Sequence, residues 1–175
     1  MKQFKKVSFN VFINNLESAQ AVNDNVRKAT TPVQEIERDL TTNYFLAYDG
    51  FANNGMGFAI DDTGELTSVF SINKGNGSAI MESAIDNGAQ HLDCFDGYLT
   101  TFYKKYGFLE VDRQANWTAG QPDVVYMRKL TPAEYLFELI KNDPDEDASM
   151  DASMQESTRK MKDQTPAEYL LELIS

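Results

Sequence analysis

The sequence predicts an α/β (α+β) fold: a mixed, mainly antiparallel twisted sheet flanked by helices, followed by a helical and disordered C-terminal tail. Three observations carry this expectation. Apolar residues recur at every second position over residues 5–13 and 65–72, a hairpin signal separates two short apolar runs, and a glycine-rich turn marks a change from strand to helix spacing. With 175 residues, 42% of them hydrophobic, the chain is long enough for one core plus an appendage.

Val7, Phe9, Val11 and Ile13 alternate and predict a first strand over 5–13. Asn15 is the expected cap of a helix over 16–29, and Thr31-Pro32, with Glu35 just beyond, is expected to open a second helix. Residues 44–48 and 57–60 are short apolar runs ended by Asp49-Gly50 and Asp61-Asp62-Thr63-Gly64, and 65–72 alternates again. Asp and Gly accept the backbone angles of a tight turn, so the second of these signals reads as a hairpin within a three-stranded meander. After Ile72 the period changes: Ile80, Met81, Ala84 and Ile85 share a helical face, and Asn87-Gly88 ends it. A strand over 90–95, a helix over 98–106 with Leu99, Phe102 and Tyr103 on one face, and a strand over 123–127 complete the order.

Composition excludes several classes. The net charge is -11, and residues 131–175 hold 11 Asp+Glu against 4 Lys+Arg, leaving 16 against 12 upstream. Neither part clusters the cations that a phosphate backbone requires, so no nucleic-acid partner is expected; an acidic surface suits solubility or a basic substrate. No run approaches the ~18 apolar residues of a membrane span. The chain is therefore expected to be cytoplasmic, without an export signal. One His and one Cys cannot supply the usual zinc ligand sets, so no metal is expected, and no nucleophile elbow occurs. Cys94 reads as a small buried hydrophobe.

The chemistry concentrates at the turn Asn73-Lys74-Gly75-Asn76-Gly77-Ser78. Glycines let a ligand approach the backbone, and the first amides of the following helix point unpaired N–H groups at an anion. Lys74 adds charge and Ser78 a hydroxyl donor. Further on stands Asp96-Gly97-Tyr98-Leu99-Thr100-Thr101-Phe102-Tyr103-Lys104-Lys105-Tyr106-Gly107-Phe108. This resembles the GNAT superfamily motif in which a helix bearing an aromatic hydroxyl ends in Y-x-x-x-G-F, and with the element order the resemblance covers most of residues 1–130. It implies a coenzyme A cradle on the fourth strand and its loop, at Phe70, Ser71, Lys74, Gly75, Asn76, Gly77 and Ser78, with the pantetheine arm between the fourth and fifth strands. Ile72 stands where the family's loop has Arg or Gln, and Asp96 where many members have Asn. The resemblance also makes Tyr103 the acid that protonates the leaving thiolate, a role suited to a phenol of pKa ~10; the alternative is a core aromatic. Glu65, at the start of the fourth strand, is the family-like candidate for the catalytic base, with His91 and Asp93 as others.

The tail repeats itself. Thr131-Pro-Ala-Glu-Tyr-Leu-Phe-Glu-Leu-Ile140 returns at 165–174 with nine of ten residues identical, each copy opening with a capping box. The acidic segment 141–164 is too poor in large apolar groups to fold alone and reads as a flexible linker spanning on the order of 25 Å. The expected organisation is an acyltransferase domain over 1–130, an amphipathic helix at 131–140, the linker, and a second helix at 165–175. Two functions follow from the resemblance. One is an acetyl-CoA-dependent N-acyltransferase acting by direct attack of an amine. The other is a catalytically silent interaction or virion-associated protein, in the style of phages and mobile elements, whose repeats dock on a protein partner or a second copy.

Overall fold

In the computed structural model, which describes residues 3–49, 52–131 and 134, the alternating N-terminal run divides at Ser8. Strand β1 (Gln3–Val7) ends there and helix α1 (Phe9–Val22) begins, so the strand expected over 5–13 is corrected at its second half. The reason lies in overlapping periods: Phe12, Leu16 and Ala19 are spaced for a helix and are all buried, whereas Val11 of the alternating set faces outward. Asn15 is consequently not a cap; its side-chain amide donates to the Val11 carbonyl inside α1. The break falls at Asn23, whose Oδ1 accepts from the amides of Asn25 and Val26 and starts α2 (Asp24–Ala29). The helix expected from Thr31-Pro32 shrinks to a 3-10 turn, Val33–Glu35, because the chain is already extended at Ile36.

Strands β2 (Asn43–Asp49), β3 (Ala52–Ile60) and β4 (Leu66–Ser71) form the expected meander and continue onto β1 as an antiparallel sheet in the order β1-β2-β3-β4. The β3–β4 turn is tied by Asp61, which accepts from the amides of Thr63 and Glu65. Helix α3 (Gly77–Asp86) then crosses to β5 (His91–Phe95), α4 (Tyr98–Lys104), β6 (Phe108–Gln114) and β7 (Val124–Lys129). These last three strands form a second antiparallel sheet, β5-β7-β6. Strand β6 is an addition to the expected order. It is an edge strand on which only Phe108 is buried, and its Glu110, Asp112 and Arg113 obscure any strand pattern while keeping the edge polar.

Alternation along β2 sorts the core into two layers. Phe45 and Ala47 join Met56, Phe58, Ile80, Met81, Tyr103, Phe108 and Met127 on the side covered by α3 and α4. Tyr44 and Leu46 join Phe12, Leu16, Val26 and Phe70 on the side covered by α1 and α2. The architecture is a mixed α+β layer of antiparallel sheets flanked by helices. The chain divides into Met1–Lys129 and a second unit from Leu130. Of the latter, Thr131 and Glu134 show the anticipated capping box: the Thr131 amide donates to Glu134 Oε2 at 2.8 Å and the Glu134 amide to Thr131 Oγ1 at 3.3 Å. The remainder of both repeats and the linker lie outside the described residues.

Candidate active site

Strands β4 and β5 run parallel and touch through a single bridge, Glu65 to His91, beyond which the two sheets part. Strand β4 is itself bent. Thr67 pairs with Ala59 and Phe70 with Gly57, so β4 holds one residue more than β3 across the same interval. Ser68, with φ 50°, is the one non-glycine residue at positive φ among the described residues. The insertion flips the strand: Leu66 and Phe70 would share a face in a regular strand, yet Leu66 belongs to the α3–α4 core and Phe70 to the α1–α2 core.

The gap so formed is a cleft of about 500 Å³, walled by β4, β5, the starts of α3 and α4, the α2 region and Trp117. Of the residues expected at a coenzyme cradle, Phe70, Ser71 and Gly77 line it, while Lys74, Gly75, Asn76 and Ser78 lie in the adjoining turn and outside the lining. Asn76 is buried and acts as a brace, its side-chain amide donating to Ser71 Oγ at 3.0 Å and to the Asn73 carbonyl at 3.2 Å. Gly75 takes φ 83° in the turn. Gly77 has a packing reason of its own, since a Cβ there would lie 2.8 Å from Phe102 Cζ. Helix α3 starts with no acidic residue in its first turn, which leaves its N-terminal amides suited to an anion. Ile72, at the position where the resembled motif is polar, is a packing residue: its side chain fills the space in front of Gly55, and its carbonyl accepts from Asn23.

Tyr103 lies in the cleft wall and is buried, and its hydroxyl has no hydrogen-bond partner among the described residues. Burial, reinforced by the neighbouring Cys94 and Asp93, pushes its titration well above the ordinary tyrosine range, so the phenol stays protonated. Cys94 borders the same space, and burial together with Asp93, Asp96 and Glu110 pushes its thiol up to about 11. A neutral thiol is a poor nucleophile.

The three candidate bases separate. Glu65 is not in the cleft lining; its amide donates to Asp61 in the turn. His91 is also outside, its Nε2 lying 3.2 Å from Thr63 Oγ1. Asp93 alone of the three lines the cleft. Asp96 anchors the entry to α4, accepting from the Gly97 amide and, at 2.6 Å, from Arg113 Nη1. The Arg113 guanidinium also grips Glu110 at 2.8 and 3.0 Å and holds the Asp96 carboxyl below its usual range. Sequence reasoning missed Arg113 because it sits on the unrecognised β6, and missed the Ser68 bulge because the apolar alternation of 65–72 runs through it unbroken.

No family model matches the sequence, and no curated protein matches it. Solved structures do match the fold. An acyl-CoA N-acyltransferase from Pseudomonas aeruginosa is similar over 74% of this chain and 99% of its own, with a TM-score of 0.53 at 16% identity. Escherichia coli ElaA is similar over 73% and 99%, with 0.54 at 16%. FeeM, an N-acyl amino acid synthase from uncultured soil microbes, is similar over 73% and 89%, with 0.50 at 9%. At these identities the likeness shows the fold alone: the chain shares the fold of these proteins, two of which are N-acyl-forming enzymes.

Proposed function

We propose that the protein is an acetyl-CoA-dependent N-acetyltransferase that passes the acetyl group directly to an amine. The observation that carries this is the buried, unpartnered Tyr103 hydroxyl in the wall of the cleft between the parted strands. Burying a hydroxyl without a partner costs about 1–3 kcal/mol, and a bound thioester sulfur relieves it. Strands β4 and β5 would hold the thioester between them, and the turn at Lys74 to Ser78 with the start of α3 would hold the phosphates. The extra residue in β4 takes an amide out of the ladder, and an amide freed in this way supports the reading as a donor that would polarise the carbonyl. The neutral amine nitrogen bonds to the carbonyl carbon as the C–S bond breaks, Tyr103 protonates the departing thiolate, and the surplus proton on the nitrogen restores the Tyr103 phenol. Asp93, rather than Glu65 or His91, is the carboxylate within reach of the cleft.

Calorimetry with acetyl-CoA tests the first step, and absence of both heat and a thermal shift would sink the proposal. Tyr103→Phe is expected to lower kcat by about 10²-fold with the affinity for acetyl-CoA within about twofold, the size of a lost general acid. An equal rate removes Tyr103 from the mechanism. The packed Ile72 favours a second reading, a catalytically silent binding protein of the same fold, with 131–140 and 165–174 docking on a protein partner. Acetyl-CoA binding with no transfer to any amine selects that reading.

A further inference from the structure

One wall of the cleft has a character that acyl transfer by itself does not require. Asp93 is the only charged residue in the lining among the described residues, and its carboxylate makes no hydrogen bond or ion pair there. The nearby carboxylates Asp96, Glu110 and Asp123 are by contrast all bridged to Arg113. Leu92 and Cys94 of β5 enter the α3–α4 core, so Asp93 and Phe95 project from the opposite face. Beside them, Trp117 of the β6–β7 connection packs its ring 6.2 Å from that of Phe95 while remaining 81% exposed. Tyr126 stands across from Asp93 in the β5–β7 register. Val26, Ala29 and Thr30 line the same cleft.

An unneutralised carboxylate flanked by accessible aromatic faces is the chemistry that recognises an alkylammonium, through charge-assisted hydrogen bonds at the nitrogen and ring contact with the adjacent carbons. The net charge of -11 adds a long-range preference for cations. We propose that this wall selects the acceptor: a small primary ammonium compound with an aromatic or branched apolar skeleton, its nitrogen held at Asp93 and its skeleton against Phe95 and Trp117. The assignment rests on the N-acetyltransferase reading. In the reaction the ammonium releases one proton to water, the neutral nitrogen forms the new N–C bond, the C–S bond breaks, and the thiolate takes the Tyr103 proton. That phenol is restored by the second proton of the nitrogen, and the net products are an amide, free thiol and one proton.

Binding to the full-length chain is measured by calorimetry with phenethylamine, its neutral isostere 2-phenylethanol, ethylamine and N-acetyl-lysinamide. Phenethylamine is expected to bind at least about tenfold tighter than 2-phenylethanol, a preference that Asp93→Asn abolishes and Asp93→Glu keeps. Trp117→Ala is expected to cost phenethylamine about threefold to tenfold and to leave ethylamine unchanged. Equal binding of the amine and the alcohol, or an Asp93→Asn protein that melts like the parent and keeps the preference, overturns the proposal. Tighter binding of N-acetyl-lysinamide than of phenethylamine overturns it in favour of a protein lysine. Acetyl-CoA titrated in parallel separates the two layers: acetyl-CoA binding without amine preference overturns the acceptor assignment alone, and amine preference without acetyl-CoA binding overturns the transferase reading and with it the acceptor role, leaving only an amine-binding wall.

Discussion

Cys94 and Tyr103 border one space, and burial acts on both in the same direction, holding each in its protonated form. For Cys94 this has a direct readout. A thiol pushed up to about 11 carries about two orders of magnitude less thiolate at neutral pH than an ordinary cysteine. Alkylation by iodoacetamide at pH 7.5 is therefore expected to be about 100-fold slower in the folded protein than in urea, and equal rates would contradict the burial argument. The sign for stability follows from the same shift. The unfolded chain loses this proton first, near the 9.0 of an unperturbed thiol, so the contribution of Cys94 is intact below that pH and is lost as pH rises toward about 11. At this scale the sequence was informative about identity and poor about position. Tyr103 and Cys94 were marked by their neighbours, whereas the distinction among Glu65, His91 and Asp93 depends on which way a bent strand turns.

Among elements, the signals that worked were those written locally. Asp61-Asp62-Thr63-Gly64 closes the β3–β4 hairpin, and Asn87-Gly88 ends α3. The failures came from tertiary pairing: α1 borrows residues that also alternate, and β6 survives as a strand because β7 supplies its hydrogen bonds. Two glycines show how different the demands inside an element are. Gly57 of β3 pairs between Leu46 and Phe70, and a Cβ there would lie 2.5 Å from the Phe45 carbonyl oxygen and 2.9 Å from Phe70 Cε1. Gly57→Ala is expected to cost about 3 kcal/mol in urea unfolding, because backbone has to move. Gly75→Ala meets no atom within 4 Å and bears only the positive φ, so its cost is expected to stay at about 1 kcal/mol. Equal losses at the two sites would refute the packing account of Gly57.

For the whole molecule, both apolar cores are built within residues 4–127. Removing residues 141–175 is therefore expected to shift Tm by no more than about 2 °C, less than the effect of ~1 kcal/mol on a domain of this size. A larger loss, read by differential scanning calorimetry, would show that the tail supports the core. The fold class was legible because the order of strands and helices is carried by short-range periodicity. The division into two sheets was not, since it arises from a pairing between β4 and β5 that is never completed, and a pattern within one strand does not report the absence of a neighbour.

That incomplete pairing has a consequence for how the molecule behaves in company. Unpaired sheet edges ordinarily recruit foreign strands and seed aggregation. Here β4 and β5 each leave one edge unsatisfied, but the two edges face one another across a narrow slot closed at one end by Glu65 and His91. A stray strand from another chain would have to thread that slot, whereas a slender, amide-bearing guest of the kind proposed above would meet donors and acceptors on both sides. The edges are sheltered from other proteins while remaining open to a small ligand.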